Sequence, residues 1–256
     1  MVTGLELFSR FFAGYEDRSV LIGGAACDIW LTKAALHARA TKDLDLVLVV
    51  EAVDAFFVQR FWDFIRSGRY ERAEVSGGAR RFYRFSRPAE TIYPAMLELF
   101  ARRPDSIPFH PGSHLVPIPV EGEFSSLSAI LLDDEAYRFI LEHRSREDGI
   151  ELLRPEGLIP LKAMACLDLQ SRRDAGENVD ASDIAKHKND IARLALILTG
   201  DESVPLPQAL RGAMSAIIEL FSAGAIDWPT IGRNLSLPVR IEGSSVVRLL
   251  RRVYDL

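Results

Sequence analysis

Asp43 and Asp45 stand two residues apart at the head of a run, DLDLVLVV, that otherwise holds only Leu and Val. Side chains alternate faces along a strand, so both carboxylates point the same way, about 6.6 Å apart along the chain at ~3.3 Å per residue. Two hard oxygen donors on one face suit Mg²⁺ (or Mn²⁺), which is held through one or two carboxylates together with substrate phosphates. Upstream, Gly23 and Gly24 follow the apolar stretch Ser19–Ile22 and precede a helical pattern. Glycine lets the backbone turn tightly and approach a ligand closely. A helix that follows offers free N–H groups and a positive dipole end to a phosphate. A phosphate cradle beside a metal clamp is what phosphoryl or nucleotidyl transfer requires.

Alone, a Gly-Gly pair marks an ordinary turn, and an Asp-x-Asp is common at solvated strand ends. Together they say more. Leu44, Leu46, Leu48 and Val50 fill one face, while Val47 and Val49 continue the face that the aspartates begin. A strand apolar on both faces is a buried strand, and carboxylates there need cations or donors to balance them.

The phrase GGAACDIW…TKDLDLVL, with Gly23, Gly24, Asp43 and Asp45, resembles the nucleotidyltransferase superfamily, the polymerase-β-like enzymes. Within it the chain is most similar to the AbiEii/MenT-type toxin nucleotidyltransferases. The tRNA nucleotidyltransferase and poly(A) polymerase group comes second; its Arg-Asp pair after the glycines is broken here, since Cys27 precedes Asp28. The resemblance covers the first 50 residues and, more loosely, 155–195. It implies a third acid on a neighbouring strand, for which Glu98 in YPAMLELF is the candidate. Glu98 could be a metal ligand, or it could pair across strands with Arg80, Arg81 or Arg84. The resemblance also implies that Lys162 meets the nucleotide phosphates and that Asp190 orients that lysine or a substrate group. Lys186 and Lys188 are alternatives for the phosphate contact. For Lys186 the plainer reading is an i,i+4 pair with Asp190 on a solvated face. Lys162 lies in PEGLIPLKAMACLDL, an otherwise apolar helical stretch, so its ammonium must reach solvent or an anion.

Around these residues the periodicity predicts a helix over 4–14, a strand over 19–22, a helix over 25–37 packing Ala26, Ile29, Trp30 and Ala34, and the aspartate strand over 42–50. A helix over 52–66 should bury Val53, Phe56, Phe57, Val58, Phe61 and Phe64. Gly77-Gly78 introduces a strand over 79–86, a further strand covers 93–100, and 104–124 reads as a loop. Short strands are expected at 129–132 and 150–153. Beyond Pro155 the pattern turns helical over 157–171, 181–199, 206–222 and 244–254, with an exposed linker at 172–180 and Pro/Gly punctuation over 223–243. The expectation is an α+β chain. A nucleotidyltransferase-like mixed sheet flanked by helices occupies 1–154, and a helical domain occupies 155–256.

The 256 residues are 48% hydrophobic with a formal charge of −5. Such a chain lacks the overall basic footprint of a nucleic-acid binder, so an RNA partner would have to meet a local basic face. Cys27 and Cys166 sit in apolar helical settings without CxxC spacing and read as buried thiols of a reducing compartment. No run approaches 18 apolar residues, so no membrane span is expected and a cytoplasmic location is. The activity implied by the resemblance is Mg²⁺-dependent transfer of an NMP from an NTP to an acceptor hydroxyl, with loss of pyrophosphate. The acceptor would be RNA, such as tRNA, or protein, and a cognate antitoxin is a possible partner. A small-molecule, antibiotic-type nucleotidyltransferase and an inert partner-binding protein are the alternatives.

Overall fold

The structure is a computed structural model that describes residues 2–37, 41–74, 82–103, 115–118, 128–237 and 240–256. Gly77-Gly78, Arg80 and Arg81 lie outside the described residues. The chain divides into two compact units, Met1–Ala26 with Ala40–Leu153, and Cys27–Arg39 with Arg154–Leu256.

Among the described residues the first unit is built on a nine-stranded mixed sheet. Its strands are β1 (Ser19–Ile22), β2 (Asp43–Leu48), β3 (Glu71–Glu74), β4 (Phe82–Ser86), β5 (Met96–Arg102), β6 (Leu115–Pro117), β7 (Ser128–Leu132), β8 (Arg144–Glu147) and β9 (Ile150–Leu153). The main order is β3-β4-β5-β2-β1-β9-β8, with β7 beside the far end of β5 and β6 paired to β7. β2 runs antiparallel to β1 and parallel to β5, and β4 runs antiparallel to β5. The aspartate strand is therefore central, as its two-sided apolar composition demands.

Alternation sorts the faces. Leu44, Leu46, Leu48, Phe85, Leu97, Leu99 and Ala101 are all buried. Helix α3 (Ala55–Gly68) covers Phe85, with Phe61 and Trp62 ring centroids 5.4 and 5.6 Å from it in edge-on geometry. Helix α1 (Leu5–Phe11) and the following Phe12 extend this cluster: the Phe8 and Phe12 rings lie 5.6 Å from Phe64. The opposite face carries Asp43, Asp45, Met96 and Glu98, all partly buried. Helix α4 (Asp134–Glu142) completes the unit: its Tyr137 hydroxyl donates to Glu51 Oε2 at 2.5 Å and accepts the Val50 N–H at 3.0 Å.

Helix α2 (Gly23–Lys33) starts in the first unit and passes into the second at Cys27. The second unit continues with α5 (Pro155–Asp174), α6 (Ala181–Ala195), α7 (Gln208–Ser222), α8 (Trp228–Asn234) and α9 (Gly243–Tyr254). α5 packs on α6 and α7, and α9 on α7. Among the described residues no helix is long and apolar enough to cross a membrane. Cys27 and Cys166 are buried thiols outside any disulfide, and burial pushes the Cys166 thiol up.

The architecture is the α+β kind the sequence implies, with local departures. Phe56 is 73% exposed, because the buried stripe of α3 runs through Phe57, Val58, Phe61, Phe64 and Ile65. Ala34 is exposed: α2 stops at Lys33, and Ala35 takes a left-handed φ of 56°. Within the segment expected to be a loop, Leu115–Pro117 forms an edge strand on β7. Between 223 and 243, Trp228–Asn234 is helical, started by Asp227, whose side chain accepts the Thr230 N–H at 3.0 Å.

Candidate functional site

β1 ends at Ile22, the register partner of Asp45, and the next residue, Gly23, is already the first of α2. No loop intervenes, so the chain must change direction within one residue. Gly23 does this with φ +69°, a left-handed value that a side chain disfavours. A Cβ at Gly23 would fall 2.9 Å from Asp45 Cγ and closer still to its Oδ2. The Asp45 carboxylate thus lies directly against the backbone at the head of α2, where N–H groups lack intrahelical partners and the helix dipole is positive. Gly24 follows in the first helical turn, half-exposed. The glycines are thus the opening of a helix rather than a separate turn.

A single line of paired residues crosses four strands at this level: Ile22 on β1 pairs with Asp45 on β2, Asp45 with Glu98 on β5, and Glu98 with Arg84 on β4. Directly paired residues project from the same face, and two positions along β2 brings Asp43 to that face as well. The structure therefore brings Asp43, Asp45 and Glu98 onto one sheet surface. Glu98 is committed there. Its Oε1 accepts the Arg84 Nε–H at 2.6 Å, and Arg84 Nη2 contacts the same oxygen. Among the described residues no group of three or more His, Cys, Asp or Glu side chains is disposed to hold a metal ion. What the face offers a divalent cation is the Asp43–Asp45 pair. Two oxygen donors fit Mg²⁺ or Mn²⁺ when a substrate's phosphates complete the shell.

Lys162 and Asp190 belong to the second unit and meet there. Lys162 Nζ donates to Asp190 Oδ2 at 2.8 Å, with both side chains about 6% exposed. Arg193 Nη1 lies 3.6 Å from the other oxygen, Oδ1. The anion that the Lys162 ammonium reaches is therefore Asp190. Lys186 pairs with Asp183, one turn before it, at 2.6 Å, and not with Asp190, one turn after it, because Asp190 is buried in the helix packing. Lys188 is half-exposed on α6.

Two further charged residues gain a place from the structure. Arg84 is one of the three arginines that the sequence offers as a cross-strand partner of Glu98, and the register pairs the two directly. Asp28 is 4% exposed in the second turn of α2, where one-in-four polar spacing on an apolar helix was the available signal.

No family model matches the chain, and no curated protein does. Among solved structures the chain is similar to the crystal structure of an antigenic nucleotidyltransferase-like protein from Paracoccidioides brasiliensis. The identity is 18%, over 96% of this chain and 98% of that one, with a TM-score of 0.47. At that distance the function has to be argued from the residues of the site themselves.

Proposed function

We propose that the chain is a metal-dependent nucleotidyltransferase that moves an NMP from an NTP to an acceptor hydroxyl and releases pyrophosphate. The observation that carries this reading is the contact between the Asp45 carboxylate and Gly23, which sets an Asp-x-Asp pair against the head of an 11-residue helix. Asp43 and Asp45 would hold Mg²⁺, which when bound neutralises charge on the triphosphate and its leaving group. The Gly23–Gly24 backbone, at the head of α2, would offer its N–H groups to a phosphate, and the absence of a Cβ at Gly23 leaves space for the Asp45 carboxylate beside it. The buried Asp190 fixes the Lys162 ammonium in one position. The resemblance assigns that ammonium, a compact point charge, to the nucleotide phosphates.

RNA, tRNA in particular, or a protein side chain is the acceptor class favoured by the resemblance to toxin nucleotidyltransferases, and a toxin–antitoxin role follows from the same source. The test is incubation with each α-labelled NTP, Mg²⁺, total RNA and total protein. Label should enter one polymer, and Asp43→Asn and Asp45→Asn should each abolish it while the far-UV spectrum stays unchanged. Label transfer by both variants at the wild-type rate would remove the pair from catalysis.

A further inference from the structure

We infer that Arg84 is a nucleotide-phosphate contact held in place by Glu98, so that the acid on the neighbouring strand serves the arginine and the metal keeps two protein carboxylates. The inference rests on the proposed nucleotidyl transfer and names a positioning pair within it.

Arg84, Glu98 and Asp45 occupy one cross-strand line. Adjacent strands are about 4.8 Å apart, so the Arg84 and Asp45 backbones are separated by about two such spacings. A guanidinium on a long stem spans that distance readily toward a triphosphate anchored at Asp43 and Asp45. The two members of the pair differ in exposure: the Glu98 side chain is 12% exposed and the Arg84 side chain 45%. The acid is the fixed, covered partner, and the guanidinium is the one that faces outward. Arg84 places Nε and Nη2 on a single oxygen, Oε1. A guanidinium has five N–H donors in a rigid fork, so this grip leaves donors for a second, anionic partner while fixing the plane in which they lie. An arginine oriented by a carboxylate is suited to phosphate in a way that a mobile surface arginine is not, since less side-chain freedom is lost on binding.

The same grip argues against Glu98 as a metal ligand. Its charge is already matched by Arg84, and it forms no three-acid group with Asp43 and Asp45 among the described residues. The charge balance of the face agrees. Asp43, Asp45 and Glu98 are three acids, and an arriving triphosphate adds further negative charge. A cation bound at the aspartates offsets part of this, and Arg84 is the positive side chain in the line to offset more.

The test separates metal from nucleotide. Mn²⁺ binding is measured by electron paramagnetic resonance without nucleotide. Binding of non-hydrolysable analogues of the four NTPs is measured calorimetrically with Mg²⁺. Arg84→Met should bind Mn²⁺ within about twofold of wild type and the analogue about 10–100-fold more weakly, the range for losing a hydrogen bond to a charged group. Arg84→Lys should restore little of the loss, because an ammonium lacks the fork. Glu98→Gln should likewise leave Mn²⁺ binding within about twofold, and should weaken the analogue less than Arg84→Met, since an amide oxygen still accepts from arginine. Should Arg84→Met fold poorly with Glu98 left unpaired, Arg84→Met/Glu98→Gln removes the pair without a bare charge and must show the same nucleotide defect. Wild-type analogue affinity in that double variant, or a tenfold loss of Mn²⁺ affinity in Glu98→Gln, overturns the inference alone. A wild-type protein that takes up Mn²⁺ but no analogue overturns the parent activity and the inference together.

Discussion

Gly23 and Lys162 show how a single position can be constrained by what lies against it. Gly23 combines φ +69° with an Asp45 carboxylate where its Cβ would stand. Gly23→Ala must bear about 1–2 kcal/mol of left-handed strain and also displace the carboxylate. Urea unfolding should show at least that loss, and Mn²⁺ titration should show weakened binding. Gly24→Ala, in the same helical turn without a left-handed φ, should be neutral or stabilising by about 0.5–1 kcal/mol; equal behaviour of the two variants would mean that the close approach is not the constraint. Lys162 is limited by its partner instead. Its pair with Asp190 is nearly closed to solvent, and removing one partner of a buried pair costs about 3–5 kcal/mol because the other charge is stranded. Arg193, 3.6 Å from Asp190, softens that loss. Lys162→Met should therefore lower the melting temperature as well as turnover. Lys162→Met/Asp190→Leu should recover most of the stability and none of the activity, read by calorimetric unfolding beside the label-transfer assay.

Helix α5 contains Pro160, which supplies no N–H to the carbonyl four residues earlier, that of Glu156. The hydroxyl of Tyr254, at the end of α9, donates to that oxygen at 2.9 Å. The last helix of the chain thus fills a vacancy created by a proline near the start of the helical unit, and Tyr254 is fully buried in doing so. Burial drives its phenol well above the ordinary tyrosine range, so it stays a donor at any working pH. Tyr254→Phe should cost about 1–3 kcal/mol, the penalty for a stranded buried acceptor. Pro160→Ala restores the helical N–H, so in the double variant the cost of losing the hydroxyl should shrink; additive costs in that cycle would refute the replacement. Sequence reading reaches elements of this kind unevenly. The Asp43–Asp45 face was legible because strand period 2 acts within one segment. The Asp45–Glu98–Arg84 line and the Tyr254–Glu156 bond were not, since each joins segments whose register no local pattern encodes. β3 (ERAE) and β8 (RSRE) lack apolar alternation and form because neighbours supply their ladder partners. Three other features are local and carry their own sequence signals. Asp148-Gly149, both with positive φ, is the tight turn between β8 and β9. Asp133 caps α4 by accepting the Ala136 N–H at 2.8 Å. Asp227 followed by Pro229 opens α8.

At the scale of the molecule, chain order and compact units do not coincide. The shift in composition at Pro155 places a boundary there, yet the second compact unit also contains Cys27–Arg39. Local composition cannot reveal this, because a 13-residue segment joins a distant unit through packing partners, not through any pattern of its own. Within that unit Ala34 and Leu36 line a groove together with Leu196, Ile197, Leu237 and Ile241, and Leu31 is 2% exposed. Burying one leucine contributes about 1.5–3 kcal/mol, a large share of the ~5–15 kcal/mol by which a domain is stable. A fragment cut at the compositional boundary, 154–256, should therefore keep helical far-UV dichroism but unfold at lower urea than the same residues do in the whole chain, with a shallower transition. Adding a synthetic peptide of residues 24–37 should raise its midpoint in a concentration-dependent way, since a ligand of the folded state alone stabilises it by mass action. A fragment that unfolds as sharply and at the same urea concentration with or without the peptide would place α2 outside the cooperative unit. It would then make the boundary at 154 a physical one as well as a compositional one.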